Sequence, residues 1–306
     1  MSWYRGFESI VSENVSLATM NTYKVGGPAE FFAQPSDPQT LGALLSRAAN
    51  EGIPVRLLGH GTNLLVADSG MRGLVIRLHK KGFGQLIRSG TKLLVGAGHS
   101  LPALVNLTAP KGLSGLECLQ GVPGTVGAAL RMNAGGKYGE ICSSVTRVRG
   151  FELDGTPFDF SREECGFIYR NSALHGRVVT ECELSLAEGD PESSKVRLKQ
   201  ILSEKCSTQP VSARSAGCVF KNPKHLGLAA GRMIDELGLK GTRIGGAVVS
   251  DLHANFLVCE GNASAHDLVE LIRTIRERVL IERGVVLELE VEVWGLDPAE
   301  LMPKAA

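Results

Sequence analysis

Apolar residues recur along the first third of the chain at the spacings of helices and strands. After Asp37-Pro38, the positions Leu41, Leu44, Leu45 and Ala48 lie on one face of a helix that Gly52 ends. A short strand that includes Phe31 and Phe32 precedes this helix, and the apolar run 55–58 follows it as a second strand. The order strand, helix, strand predicts a βαβ unit.

The same two periods continue to the C-terminus. A polar start at Ser264-Ala265-His266-Asp267 is typical of a capping box and predicts a strongly amphipathic helix that ends at Gly284. From Val285 to Gly295 apolar and acidic residues alternate, which predicts one continuous strand with Glu288, Glu290 and Glu292 on one face. Further strands are predicted over 72–77, 93–98, 145–153, 155–160 and 178–187, and helices over 101–109, 189–207 and 229–238. This mixture of predicted elements indicates a fold of the α+β class.

Two glycine-rich loops carry the pattern of a phosphate-binding backbone. The first follows a strand as Gly59-His60-Gly61-Thr62-Asn63-Leu64, and the second, Gly121-Val122-Pro123-Gly124-Thr125-Val126-Gly127-Ala128, turns into a helix start whose free N–H groups would favour anions. Neither is the dinucleotide fingerprint Gly-x-Gly-x-x-Gly. Together they suggest a long ligand with a diphosphate, although each loop alone is also compatible with an ordinary turn or close helix packing.

The segment Ser215–Pro223 places a thiol, a cation and an amide close together, as Cys218, Lys221 and Asn222. Small neighbours around Cys218 indicate an accessible thiol, whereas a buried inert cysteine in a strand-to-turn transition is the alternative. Arg170, in Tyr169-Arg170-Asn171-Ser172, is a planar charged group suited to a carboxylate, or else to a structural ion pair.

Composition excludes several classes of partner. The chain has 306 residues, enough for two or three domains, and 33 basic against 32 acidic residues leave a net charge of +1, which gives no footprint for nucleic acid or an anionic membrane. The seven cysteines are scattered, so we expect neither disulfides nor a metal site. The N-terminus has no signal-peptide pattern and no apolar run reaches membrane length, so we expect a cytoplasmic protein.

Six signatures, in this order, identify a family resemblance across nearly the whole chain. They are 21–27 (Asn-Thr-Tyr-Lys-Val-Gly-Gly), 58–65, 121–127, 169–172, 215–223 and 240–247. The chain resembles the UDP-N-acetylenolpyruvoylglucosamine reductase (MurB) family of peptidoglycan precursor synthesis, in its shorter type. The resemblance implies an FAD-binding region of the vanillyl-alcohol-oxidase (PCMH) type with two subdomains, residues 1–78 and 79–205, and a C-terminal α/β substrate-binding domain, residues 206–306.

The resemblance also implies the reaction. NADPH would reduce FAD, and a hydride would then pass to C3, with a proton to C2, of the enolpyruvyl group of UDP-N-acetylenolpyruvoylglucosamine. Arg170, Glu290 and Cys218 would be catalytic, and Lys221, Asn222, Lys240, Arg243 and His253 would bind substrate. FAD would be held by Tyr23 and the two glycine loops, at Gly59, His60, Gly61, Thr62, Asn63, Leu64, Gly121, Pro123, Gly124, Thr125, Gly127 and Ala128. We expect a monomer.

Two departures from the family pattern bear on the chemistry. The usual proton donor is a serine, and Cys218 stands in its place; a thiol, with an ordinary pKa of about 8.5, is a stronger acid than an alcohol and would also be open to oxidation. The usual arginine after the catalytic carboxylate is Glu292 here, so Glu288 stays an alternative to Glu290. We expect a raised pKa for the Glu290 carboxyl, because it must act beside a developing anion.

Three other functions are compatible with parts of this pattern. A flavin-dependent alcohol or sugar oxidase of the same fold would consume oxygen without NADPH. A cysteine hydrolase would need His225 or His253 as a base near Cys218. A non-catalytic binder of nucleotide-diphosphate sugars would be colourless.

Overall fold

The computed structural model describes residues 2–303, which form two compact units. Unit 1 contains Phe31–His60, Gly73–Glu204 and the segment before Asn14, and unit 2 contains Asn14–Glu30, Gly61–Arg72 and the chain from Lys205 onward. The chain thus passes between the units several times. The division of residues 1–205 into two subdomains at position 78 stays a prediction.

Both units combine short helices and strands, in agreement with the α+β prediction. The helices are α1 (Pro38–Asn50), α2 (Lys80–Phe83), α3 (Leu101–Thr108), α4 (Val126–Arg131), α5 (Pro191–Thr208), α6 (Ala230–Glu236) and α7 (Ala265–Arg283). The strands are β1 (Val11–Ser16), β2 (Pro28–Ala33), β3 (Val55–Leu57), β4 (Leu64–Val66), β5 (Met71–Ile76), β6 (Leu86–Ser89), β7 (Lys92–Gly96), β8 (Leu113–Ser114), β9 (Gly135–Gly136), β10 (Gly139–Glu140), β11 (Val145–Glu152), β12 (Pro157–Ser161), β13 (Arg177–Ser185), β14 (Ala187–Glu188), β15 (Arg243–Ile244), β16 (Ala247–Val249), β17 (Leu257–Cys259) and β18 (Glu292–Trp294).

Unit 1 contains most residues of the two larger sheets, and also the short pairs β10-β9 and β14-β8. Residues of β1, β2, β5 and β3 form a sheet in that order, with β3 parallel to β5, so one strand lies between the two strands of the predicted βαβ unit. The second sheet has the order β12-β11-β13-β7-β6 and is antiparallel throughout. One apolar cluster combines α1 with residues of the first sheet and Val178 of β13, and another combines α3 and α4 with residues of the second sheet.

Helix α1 begins and packs as its sequence predicts. The Asp37 side chain accepts a hydrogen bond from the Thr40 N–H at 2.8 Å, and Pro38 occupies the first helical position, where its missing N–H costs nothing. The four residues of the predicted apolar face, Leu41, Leu44, Leu45 and Ala48, are fully buried. Burial of this face, rather than helix propensity alone, supplies most of the stability of such an element.

Unit 2 packs α6 and α7 with the antiparallel sheet β15-β16-β17 around one apolar core. The predicted capping box is present: Ser264 Oγ accepts from the Asp267 N–H at 3.1 Å, and Asp267 accepts from the Ser264 N–H at 3.0 Å. Asp68, distant in sequence, also accepts from the N–H groups of Ala265 and His266 at the same helix start. Gly284 ends α7 in the left-handed region.

The predicted continuous strand over Val285–Gly295 is wrong in its extent. Only Glu292–Trp294 forms a strand, β18, and it pairs in parallel with β4. The preceding residues pair instead with the segment around Phe220, through an isolated bridge between Phe220 and Leu289. Two different partners along one alternating segment interrupt the strand, and alternation alone cannot predict which partners these are.

Candidate active site

A cleft of about 310 Å³ in unit 2 contains four of the predicted residues: Cys218, Asn222, Lys240 and His253. These side chains come from separate segments, since Cys218 and Asn222 lie in one loop, Lys240 follows α6, and His253 lies in the turn between β16 and β17. The cleft therefore brings a thiol, an amide, a cation and an imidazole together on one concave surface.

The backbone around Cys218 is fixed on both sides. Gly217 has φ of +81°, in the left-handed region that favours glycine, and Cys218 then forms an antiparallel bridge with Phe256. The side chain of Asn255, which is 2% exposed, accepts from the Phe220 N–H at 2.9 Å and donates to the Phe220 carbonyl at 2.8 Å. Asn255 thus holds the residues that follow the thiol, although no feature of its own sequence context singles it out.

The surroundings of His253 favour its neutral form beside this loop. Burial lowers the pKa of His253, and the nearby Lys240 cation adds to the effect. Its Nδ1 accepts a hydrogen bond from the Asn255 N–H at 3.2 Å, so the proton of the neutral ring resides on Nε2. Gly231 packs against the ring, because a Cβ there would lie 3.0 Å from His253 Cε1.

Glu290 is bonded to the loop that carries the thiol. Its N–H donates to the carbonyl of Val219, the residue after Cys218, at 2.8 Å. Glu288, the alternative carboxylate, lies with 76% of its side chain exposed and 3.4 Å from Lys221 Nζ. The Glu292 carboxylate accepts from the Trp294 indole N–H at 3.0 Å. The two flanking carboxylates therefore have their own partners.

Lys221 and Arg243 are not among the residues that line the cleft. Lys221 contacts Glu288, and Arg243 forms an exposed ion pair with Glu260 at 2.6 Å. Lys240 lies in the cleft and pairs with Asp235 at 2.8 Å. Substrate contacts by Lys221 and Arg243 stay predictions.

Tyr23, predicted as a cofactor contact, lies in the apolar core of unit 2 and is 1% exposed. Burial raises the pKa of its phenol, and a negative charge on Cys259 or Cys218 would raise it further. A contact between Tyr23 and FAD stays a prediction, and the ring as placed packs among apolar side chains.

Arg170 lies in unit 1, in a tight turn. Ile168 and Asn171 exchange two backbone hydrogen bonds across the turn, and Arg170 has φ of +55°. Such a backbone persists only where the surroundings enforce it. The fully buried Asn133 supplies part of this support, since its Nδ2 donates to the Ile168 carbonyl at 3.1 Å. The guanidinium carbon stands 5.2 Å from the centre of the Tyr169 ring.

A second cleft, of about 370 Å³, lies within unit 1 where the two predicted glycine loops meet. Gly59 and His60 of the first loop and Thr125, Gly127 and Ala128 of the second line it. A Cβ on Gly59 would lie 2.9 Å from Thr125 Oγ1, so only glycine allows this approach. Gly121, Pro123 and Gly124 are not among the lining residues, and Gly61, Thr62, Asn63 and Leu64 belong to unit 2.

The prediction of free N–H groups at the start of α4 is wrong for its first three residues. The N–H of Val126 donates to the His99 carbonyl, that of Gly127 to the Ala97 carbonyl, and that of Ala128 to Thr125 Oγ1. The protein itself therefore uses these donors. The sequence could not predict the first two bonds, because their acceptors lie in the turn after β7, whereas Thr125 directly precedes the helix.

Positive side chains, rather than N–H groups at the start of α4, provide the contacts that an anion needs in this cleft. Arg77, Lys80, Arg131 and Arg177 line the cleft together with the apolar Leu57, Leu58, Leu78 and Val179, and no acidic residue is among its lining within residues 2–303. Arg177 also pairs with Glu152 at 2.7 Å. Burial, with Arg77 as a smaller cause, lowers the pKa of His60. A positive, partly apolar cleft suits a diphosphate joined to an aromatic ring, so these residues fit FAD. The pattern of the glycine loops does not indicate these four cations, because they lie outside the loops.

Comparisons with known proteins define the class. Residues 29–161 match the model of an FAD-binding domain, and residues 209–294 match the model of the UDP-N-acetylenolpyruvoylglucosamine reductase C-terminal domain. The chain is therefore a flavoprotein oxidoreductase with an FAD-binding region and a separate C-terminal domain.

Relatives of similar length identify the family. UDP-N-acetylenolpyruvoylglucosamine reductase of Moorella thermoacetica is 42% identical over 292 residues, 95% of each chain, and reductase 2 of Symbiobacterium thermophilum is 41% identical over 284 residues, 92% of this chain and 91% of that one. The crystal structure of the enzyme from Thermus caldophilus superposes with a TM-score of 0.81 at 43% identity, covering 92% of this chain and 98% of that one. This chain belongs to the UDP-N-acetylenolpyruvoylglucosamine reductase family.

None of the helices found between residues 2 and 303 combines the length and apolar character that crossing a bilayer requires.

Proposed function

We propose that this protein reduces UDP-N-acetylenolpyruvoylglucosamine to UDP-N-acetylmuramate with NADPH, through bound FAD. The observation that carries the proposal is the cleft of unit 2, where Cys218 lies with Asn222, Lys240 and His253 and where Glu290 is bonded to the residue after the thiol. A reaction that protonates a carbon next to a carboxylate needs an acid at a fixed position and cations for the developing charge.

Cys218 is the proton donor in this proposal. Its thiol gives a proton to C2 of the enolpyruvyl group as a hydride reaches C3, so the C=C bond becomes a single bond. The thiolate then recovers a proton from solvent. The hydride comes originally from NADPH, which becomes NADP⁺ in the preceding reduction of the flavin. Asn222, Lys240 and the Nε2–H of His253 face the same cleft and would bind the sugar nucleotide.

Arg170 and Glu290 would stabilise the negative charge that collects on C2 and its carboxylate. Arg170 is suited to this role because its guanidinium is carried by a turn that Asn133 supports, and a supported group loses less entropy on binding. Glu290 is suited because its backbone is fixed beside that of Val219.

When bound, FAD accepts a hydride from NADPH and delivers it to the enolpyruvyl carbon. Gly59, Thr125 and Gly127 would let the cofactor approach the backbone, and Arg77, Lys80 and Arg131 would hold its diphosphate. We further propose, from the net charge of +1, that the protein binds neither nucleic acid nor an anionic membrane and, from its family membership, that it is a cytoplasmic monomer.

Anaerobic spectroscopy on the purified protein tests the proposal. We expect a yellow protein whose flavin absorbance is bleached by NADPH and restored by UDP-N-acetylenolpyruvoylglucosamine. Reduced protein that the enolpyruvyl sugar fails to reoxidise, while a simple alcohol or sugar reduces the oxidised form, would instead support the oxidase alternative. A colourless preparation that binds no flavin would refute both.

A further inference from the structure

Asn63 connects the first glycine loop to the backbone of Glu290. Its side-chain Nδ2 donates to the Glu290 backbone carbonyl at 2.9 Å, across 227 positions of sequence. The backbone carbonyl of Asn63 accepts from the Glu292 N–H at 3.0 Å. Both bonds lie within unit 2. The parallel pairing of β4 with β18 begins at the next residue, where Leu64 faces Glu292.

These bonds complete the attachment of Glu290. Its N–H donates to Val219 on one side, and its carbonyl accepts from Asn63 on the other, so both peptide groups that flank its Cα are fixed. Fixing both peptides sets the direction of the Cα–Cβ bond, and with it the region that the carboxylate can reach. Because Val219 directly follows Cys218, this direction is set relative to the thiol.

One further backbone bond acts on the same peptide group, from the Val291 N–H to the Val219 carbonyl at 3.3 Å, and the other contacts of the segment lie farther from Glu290. Lys221 N–H donates to the Glu288 carbonyl at 2.8 Å, and the buried Arg276 donates through Nε to the Leu287 carbonyl at 2.9 Å. Of the side-chain bonds described for residues 287–292, the amide of Asn63 is the one that acts on the Glu290 peptide itself.

We propose that Asn63 is a positioning residue for Glu290, acting in the reduction of the enolpyruvyl group rather than in the reduction of the flavin. The inference rests on the proposed function, because it takes Glu290 as the catalytic carboxylate. It differs from the sequence-based expectation that Asn63 contacts FAD, since a cofactor contact would affect flavin binding and reduction by NADPH.

Stopped-flow measurement of the two half-reactions separates these roles. Asn63→Ala should bind FAD with the wild-type affinity, measured by titrating the apoprotein, and should be bleached by NADPH at the wild-type rate. Reoxidation by the enolpyruvyl sugar should be slower by about tenfold to a hundredfold, the effect of a small misplacement of a catalytic group. The loss should appear in the maximal rate and not in the substrate concentration at half-maximal rate.

Two further variants provide the controls. Asn63→Asp has the same size but accepts instead of donating, so it should show the same defect, and it serves if the alanine variant does not fold. Thr22→Val removes a bond to the same loop, from Thr22 Oγ1 to the Gly61 carbonyl at 3.3 Å, but does not touch residues 287–292. It should reoxidise at the wild-type rate.

A double-mutant cycle gives the decisive outcome. In a Glu290→Gln background, Asn63→Ala should slow reoxidation less than twofold further, because the group that it positions is already absent. Additive losses, weaker FAD binding, slower bleaching by NADPH or an unchanged reoxidation rate would each overturn the inference. Failure of the wild-type protein to be reoxidised would instead refute the proposed function.

Discussion

Replacement of Asn255 by alanine should weaken unit 2 more than any surface amide could. Phe220 lies between two residues that bond to the segment 288–290, so its own N–H and carbonyl point the opposite way, toward the Asn255 side chain. Phe220 and Asn255 are 1% and 2% exposed, so water does not reach these groups. The alanine variant would leave a buried donor and a buried acceptor without a partner.

The magnitude follows from these two groups. A buried main-chain group left without its hydrogen bond costs about 1–3 kcal/mol, so we expect a loss of roughly 2–5 kcal/mol in the free energy of unfolding. At about 2–4 °C for each kcal/mol, the melting transition of unit 2 should fall by roughly 4–20 °C. Because the same bonds hold the residues after Cys218, substrate turnover should fall as well.

Calorimetry and urea unfolding measure the change. Asn262→Ala is the matched control, because Asn262 is an exposed amide in the turn after β17; it should change the free energy of unfolding by less than about 0.5 kcal/mol. If Asn255→Ala unfolded at the same temperature and urea concentration as Asn262→Ala, the Asn255 amide would not hold the Cys218 loop as described.

Two further predictions concern the reduction of the enolpyruvyl group, and a third concerns the pH dependence of stability. Cys218→Ala should keep flavin bleaching by NADPH and lose turnover of the enolpyruvyl sugar by about 10²–10⁴-fold, whereas Cys218→Ser should retain much of it; normal turnover of the alanine variant would mean that the proton comes from elsewhere. Arg170→Lys should slow the same half-reaction, because an ammonium cannot form two parallel hydrogen bonds to a carboxylate, and full activity would argue against such a contact. Since burial lowers the pKa of His60 and His253, the unfolded chain should take up protons that the folded chain refuses as pH falls below about 6.5. Urea midpoints should therefore drop between pH 7.5 and 5.5, and less so in His253→Gln; an equal drop in that variant would refute this role for His253.

Local features of the sequence predicted most of the elements. The apolar face of α1, the capping box at Ser264 and the stop at Gly284 all depend on residues within a turn or two of one another, and each is present. The family signatures also predicted the membership that the comparisons establish.

What the sequence by itself determined is therefore the local part: most of the longer helices and strands, the caps of several helices, and which residue types are available for chemistry. The tertiary structure decided which of them meet, including the cleft of Cys218 with His253, the division of Val285–Gly295 between two partners, and the donors at α4 that the turn after β7 uses. The bond from Asn63 to Glu290 shows the physical reason most clearly. Periodicity and capping depend on near neighbours. A hydrogen bond between residues 227 positions apart forms only when the tertiary fold brings their two segments together.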